Sequence, residues 1–181
     1  MFILLAIPLG ILVGYALGGN LDRLAAMHFR WGGLAIAGLL VQVVLFTEAV
    51  GSVVGRDLGA VIYVASATAV LIAVVSNARL PGIAILAMGA TLNLAAILAN
   101  GGIMPTTQAA LDAAGLSDRP GLSNSAVVAD PALAPLTDVY ALPAWFPLAN
   151  VFSIGDVLIG LGVAVLLASG MRRPRRPRPR A

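Results

Sequence analysis

Five apolar windows recur along the chain, at about 2–18, 32–50, 59–76, 82–99 and 151–169. Each is near the length an α-helix needs to cross about 30 Å of hydrocarbon at about 1.5 Å per residue. Their recurrence limits the fold more than any motif does. Away from water every backbone N–H and C=O must be paired, and a helix pairs them within its own segment. The separators are "GGNLDRLAAMHFRW", "GSVVGRD", "NARLPG", a long stretch from about 100 to 150, and the tail "MRRPRRPRPRA". With 60% apolar and 10% charged residues and a mean hydropathy of +0.97, the chain lies outside the range of soluble domains. The expectation is an all-α integral membrane protein with five transmembrane helices. Residues 1–171 form one bundle domain, with an outer segment at 100–150, and residues 172–181 form an Arg/Pro tail. The opening "MFILLAIPLG" has no basic residue ahead of its apolar run, so it reads as a retained helix rather than a cleaved signal peptide.

The arginines set the expected orientation, because basic residues resist translocation. With the tail inside, Arg23, Arg30, Arg79 and the tail arginines at 172, 173, 175, 176, 178 and 180 are cytoplasmic, and only Arg56 and Arg119 are outside. The acids agree independently: Glu48, Asp57, Asp112, Asp118, Asp130, Asp138 and Asp156 fall toward the outer side and only Asp22 inside. The expected topology is therefore N-out, C-in. All eleven basic residues are arginine in an Ala- and Gly-rich chain, which reads as the codon bias of a GC-rich bacterium and places the protein in a bacterial cytoplasmic (plasma) membrane.

The expected partners are the lipid bilayer itself, anionic lipid headgroups along the extended Arg/Pro tail, and a membrane partner subunit or a second copy of the chain. Nucleic acid is not expected, since the arginines are not interleaved with aromatics. There is no cysteine and His28 is the sole histidine, so thiolate and imidazole metal sites are excluded. No cofactor is indicated.

The stretch from 100 to 150 is far longer than a connector. Gly101, Gly102 and Pro105 break the fourth helix, and Thr106 or Thr107 caps a short Ala-rich helix ending near Gly115. "SDRPGLSNS" and "ADPALAPLTD" read as irregular chain. In "YALPAWFPLANVF", Tyr140, Trp145, Phe146 and Phe152 read as an anchor at headgroup level, with a lid over the bundle as the second reading.

Polar residues inside the spans fall at one depth from the outer ends. Gln42, Ser66, Asn93 and Asp156 lie eight, seven, seven and five positions in, or roughly 8–12 Å. They share faces with small residues, which mark helix contacts: Ala35 and Gly38 with Gln42, Gly89 and Ala96 with Asn93, Gly160 and Ala164 with Asp156. Ala6, Gly10, Gly14 and Gly18 form a similar ladder without polar cargo, so the first helix reads as scaffold. Asp156 has a structural explanation of its own, because Ser153-x-x-Asp156 ahead of an apolar run is a capping box.

The pairing of "NGGIMP" (100–105) with "FSIGD" (152–156) resembles a family of small bacterial multi-pass membrane proteins known only as a domain of unknown function. The likeness extends over nearly the whole chain, Gln42 included, while the tail looks idiosyncratic. It singles out Asn100, Gly101, Gly102, Met104, Pro105, Ser153, Gly155 and Asp156 but implies no activity, substrate or cofactor. "SIGD" is also similar to the Gly-x-Gly-Asp signature of intramembrane aspartyl proteases, but Ser153 replaces the first glycine and no other span contains an aspartate to complete a dyad.

The leading expectation is a non-enzymatic membrane protein with an outward-facing polar crevice for a small ligand, a lipid headgroup or a partner subunit. Its binding residues are Gln42, Asn93, Asn100, Gly101, Gly102, Met104, Pro105, Ser153 and Asp156. The alternatives are a small-solute or ion transporter subunit, and an outer-face carboxylate-dependent enzyme drawing on Glu48, Asp138 and Asp156.

Overall fold

The computed structural model describes residues 2–117 and 125–172. Asp118, Arg119 and the tail beyond Arg172 lie outside the described residues. The chain is mostly helical. A 3-10 turn, Phe2–Leu5, leads into α1 (Ala6–Ala16), and α2 (Leu21–Ala25), α3 (Gly32–Leu45), α4 (Glu48–Val54), α5 (Arg56–Val75) and α6 (Ile83–Ala99) follow. The connecting segment then holds β1 (Met104–Thr106), α7 (Gln108–Ala114), β2 (Ser125–Val127), a 3-10 turn at Ala134–Leu136, β3 (Tyr140–Leu142) and β4 (Asn150–Phe152), before α8 (Ile154–Gly170). By length and composition α5 can cross a membrane, and α1, α3, α6 and α8 are shorter apolar helices.

Three expectations are corrected. The window at 32–50 is not one helix: α3 stops at Leu45, Thr47 takes an extended backbone, and α4 starts afresh. At that break Val44 O accepts both from the Thr47 amide at 3.1 Å and from the Thr47 hydroxyl at 2.7 Å. The last helix begins at Ile154, because residues 150–152 are a strand. The fold is also not wholly α. The connecting segment contains two small sheets, β1 with β2 in parallel and β3 with β4 antiparallel, of which only Ser125 falls in the stretches read as irregular.

Contacts between the long helices run in the order α1, α8, α6, α5, α3. α1 runs parallel to α8: its small-residue ladder lies against that helix, with Gly10 beside Ala164 and Gly14 beside Met171. α6 runs antiparallel to α8, with Gly82 facing Gly162 and Gly89 facing Gly155. α3 runs antiparallel to α5, with Gly38 against Ser66 and Val70 and Leu45 near Gly59.

The two ends of the bundle are tied differently. At one end, Asn77 accepts from the Arg30 amide at 2.7 Å and donates to Arg30 O at 2.8 Å, so the turn after α5 holds the approach to α3. There also Arg23 donates to Met171 O at 3.2 Å, satisfying a carbonyl at the end of α8. At the other end, the connecting segment packs down on the helices. Met104 joins Leu45, Tyr63, Ala96 and Ile97 in a buried cluster that Leu136 and Phe46 extend.

Candidate functional site

The residues singled out from "NGGIMP" and "FSIGD" occupy two neighbouring places at the end of the bundle that carries the connecting segment. The first begins where α6 stops. Gly101 (φ 71°) and Gly102 (φ 89°) are both left-handed, a conformation that costs most residues energy and glycine almost none. Gly102 N donates back to Ile97 O at 2.8 Å, closing the helix end. A Cβ on Gly102 would overlap Ala60 of α5, so this turn also needs glycine for space.

Asn100 then acts as a peptide mimic. Its Nδ2 donates to Ala132 O at 2.9 Å and to Ala96 O at 2.8 Å, while its Oδ1 accepts from Ala132 N at 2.9 Å. One side chain thereby pins the connecting segment to the end of α6. Met104 fills the buried cluster, and Pro105 offers its carbonyl to Asp138 N at 2.9 Å. Thr106 donates to Asp138 O at 2.8 Å, tying β1 to the chain ahead of β3.

The second place is the start of α8. Ser153 is fully buried and caps the helix: its Oγ accepts from Asp156 N at 3.0 Å, and Asp156 Oδ2 accepts from Ser153 N at 3.2 Å. The capping box read from the sequence is present. It does not stand alone, because Asn93 of α6 grips both members. Ser153 Oγ donates to Asn93 Oδ1 at 2.8 Å, and Asn93 Nδ2 donates to Asp156 Oδ1 at 2.8 Å. The carboxylate can only accept, so the amide must turn its nitrogen to Asp156 and its oxygen to the hydroxyl. Gly155 completes the arrangement. A Cβ there would occupy the place of the Asn93 amide and press on Gly89 O, so only glycine lets the amide reach across the helix start.

Gln42 is not brought into this group, which corrects the reading of one continuous polar layer. It lies half-buried on α3, on the same stripe as Gly38 and Leu45, and that stripe faces α5. Ser66 likewise turns to its own helix, donating to Tyr63 O at 2.8 Å. Equal depth along two helices does not make them neighbours.

Sequence reasoning missed Asn77, which holds the opposite end together. The available signal was an asparagine in a tight inter-helix turn beside Arg79 and Pro81. It also missed the hairpin that organises the aromatics. Tyr140 and Phe152 stack across β3 and β4 at 5.7 Å, and Trp145 and Phe146 meet edge to face at 5.8 Å beyond the strands. The hairpin rests on α7, with Ala144 N donating to Ala113 O at 3.1 Å and Val151 packed against Ala110 and Ala114. α7 is capped by Thr107, which accepts from Ala110 N at 3.1 Å, and ends at left-handed Gly115. On its exposed face, hydrogen bonds from Ser117 and then Gln108 hold the Asp112 carboxyl below its usual range.

The carboxylates therefore have separate settings. Asp156 is engaged at the α6–α8 contact, whereas Asp138 is buried beside β1. Among the described residues no three His, Asp or Glu side chains gather into a metal-sized cluster.

These features define a mostly helical protein with apolar helices, whose conspicuous polar residues join helix to helix and a connecting segment to the bundle. Residues 26–168 match a family of unknown function (DUF5317), and the chain belongs to that family. The match begins after α2, so α1 and the tail lie outside it. No curated protein and no solved structure matches the chain.

Proposed function

We propose that this is a five-span, N-out, C-in protein of a bacterial cytoplasmic membrane that acts by binding a membrane partner subunit rather than by catalysis. One observation carries the reading. Asn93, Asn100, Ser153 and Asp156, four of the polar residues expected to line a crevice, are hydrogen-bonded to one another and to backbone, while large apolar side chains are exposed on the long helices. Leu12 of α1 is 67% exposed, Val43 of α3 66% and Val61 of α5 64%. Such surface on successive helices suits hydrocarbon and not water. The helix directions support the topology, since the start of α1, the break after α3, the end of α6 and the start of α8 share the end that carries the connecting segment.

Among a small ligand, a lipid headgroup and a partner subunit, the filled crevice favours the partner. Asn93, Ser153 and Asp156 are bonded to each other, and Asn100 is bonded to Ala132. The connecting segment instead presents Trp145, 79% exposed, on a hairpin braced by α7. An exposed aromatic on a rigid support is the kind of group that anchors an interface.

Alkaline phosphatase fused after Arg119 should be active and the same fusion at the C-terminus inactive; the reverse pattern would end the topology. A photo-crosslinking residue at Trp145 in intact cells should give a discrete protein adduct. Lipid adducts alone would reduce the hairpin to a headgroup anchor and remove the partner reading.

A further inference from the structure

The break between α3 and α4 creates a groove that the polar clamps do not use. α4 lies beside both α3 and α5, with Gly51 at contact distance from Leu45 O. Between the two helices and α5 lies a space of about 350 Å³, open on one side and lined by Leu40, Val41, Val44, Val50, Val54 and Ile62 with Leu45 at its floor. Essentially no polar surface faces it.

Its lining discriminates between occupants. A flexible hydrocarbon chain follows an irregular apolar slot and needs no polar partner there. The surroundings add a charge. Arg56 is exposed at the start of α5, two residues beyond Val54, and no described side chain pairs with it. Asp57 follows it in the first turn of α5, where a carboxylate is favoured by the helix terminus itself. An apolar slot with an exposed cation two residues from its wall suits an anionic amphiphile.

We propose that this groove holds one acyl chain of a diacyl phospholipid from the outer leaflet, with the lipid phosphate at Arg56. The proposal rests on the membrane reading above. α4 then serves as a clasp: the chain leaves α3, crosses the mouth of the slot and re-enters as α5, so a lipid seated there is held on three sides rather than exchanging as bulk lipid does.

The test uses the full chain, reconstituted in nanodiscs of phosphatidylethanolamine and phosphatidylglycerol and released for native mass spectrometry. The wild type should retain one phospholipid. Val44→Trp and Val50→Trp, which fill the slot from opposite walls, should each lower retention about tenfold or more, since losing the burial of about two methylenes suffices for that factor. Arg56→Glu should lower retention several-fold without changing the melting temperature. Two filling variants guard against one failing to fold, and circular dichroism identifies a misfolded one. A wild type that stays in the membrane through carbonate extraction yet retains no phospholipid overturns the groove alone. Release by carbonate overturns the membrane reading itself. Retention unchanged in both tryptophan variants, or a protein dimer that both abolish, would also overturn the proposal.

Discussion

The α6–α8 seam and the α3–α5 contact are both antiparallel helix pairs built from apolar sequence, yet they are joined in different ways. In the seam, glycines recur at a seven-residue spacing on both helices, Gly82 and Gly89 facing Gly162 and Gly155. A Cβ on any of the four would run into the partner's backbone. The Asn93–Ser153–Asp156 clamp sits at one end of that seam. The α3–α5 contact has one such glycine, Gly38, whose Cβ would meet the tip of Val70 at 2.7 Å and Ser66 O at 3.0 Å. Ser66, the polar residue at that contact, keeps its hydrogen bond within α5. Small residues let backbones approach, and only at that approach can a short amide bridge a helix start. The seam therefore specifies one register. The other contact holds α3 along a single stripe and leaves most of its surface bare.

The largest expected effect is the most direct way to break this contrast. Gly155→Ala must displace either the Asn93 amide or the α6 backbone, and even after the better helix propensity of alanine it should cost about 2–3 kcal/mol. Gly38→Ala meets a movable side-chain tip and one backbone carbonyl, Ser66 O at 3.0 Å, that has to give by only a few tenths of an ångström, and it should cost less than Gly155→Ala, about 1 kcal/mol. Reversible unfolding in mixed micelles, measured for both, would show the two contacts to be alike if the costs came out equal.

The clamp makes the next, smaller prediction. Asn93→Ala and Ser153→Ala should be non-additive by about 1 kcal/mol, because each removes the same hydrogen bond. Gln42→Leu combined with Asn93→Ala should simply add, since Gln42 faces α5. Asp156→Asn sharpens the point. As a lone cap the amide would be a mild replacement, but Asp156 accepts from the Ser153 amide with one oxygen and from Asn93 with the other. An asparagine must turn N–H toward one of those two donors, so the loss should be about 1–2 kcal/mol. A smaller loss, near that of an isolated cap, would mean that the bond from Asn93 adds nothing.

How much of this could be read beforehand follows from what one-dimensional patterns carry. Apolar windows locate helices, and Ser153-x-x-Asp156 and Thr107 announce helix starts because capping is local. The break at Phe46–Thr47 leaves almost no trace, since hydropathy runs through it and only Thr47 and the glycines after it hint at a new start. The three-residue strands β1 to β4 are too short to show a period. The motifs were visible as groups but their use was not. That Asn93 meets Ser153 while Gln42 does not depends on α8 lying between α1 and α6, and such neighbour order is tertiary information absent from depth or spacing.

The smallest prediction probes the bare side of α3. Gly33 lies in the first turn of that helix, and a Cβ there would find no atom within 4 Å. Gly33→Ala should therefore stabilise the purified chain slightly, by about 0.5 kcal/mol, because alanine reduces the freedom of the unfolded chain and favours the helix. The same substitution reads differently if another helix occupies that face in the membrane. Close helix contacts favour glycine, so a partner packed on Gly33 would turn the gain into a loss wherever the partner is present. Melting of Gly33→Ala and wild type should then be compared in detergent and in native membrane vesicles. A gain in both leaves α3 facing lipid and sharpens its difference from the glycine-matched seam. A gain in detergent that reverses in vesicles would show that α3 has a seam of its own, completed by a second protein.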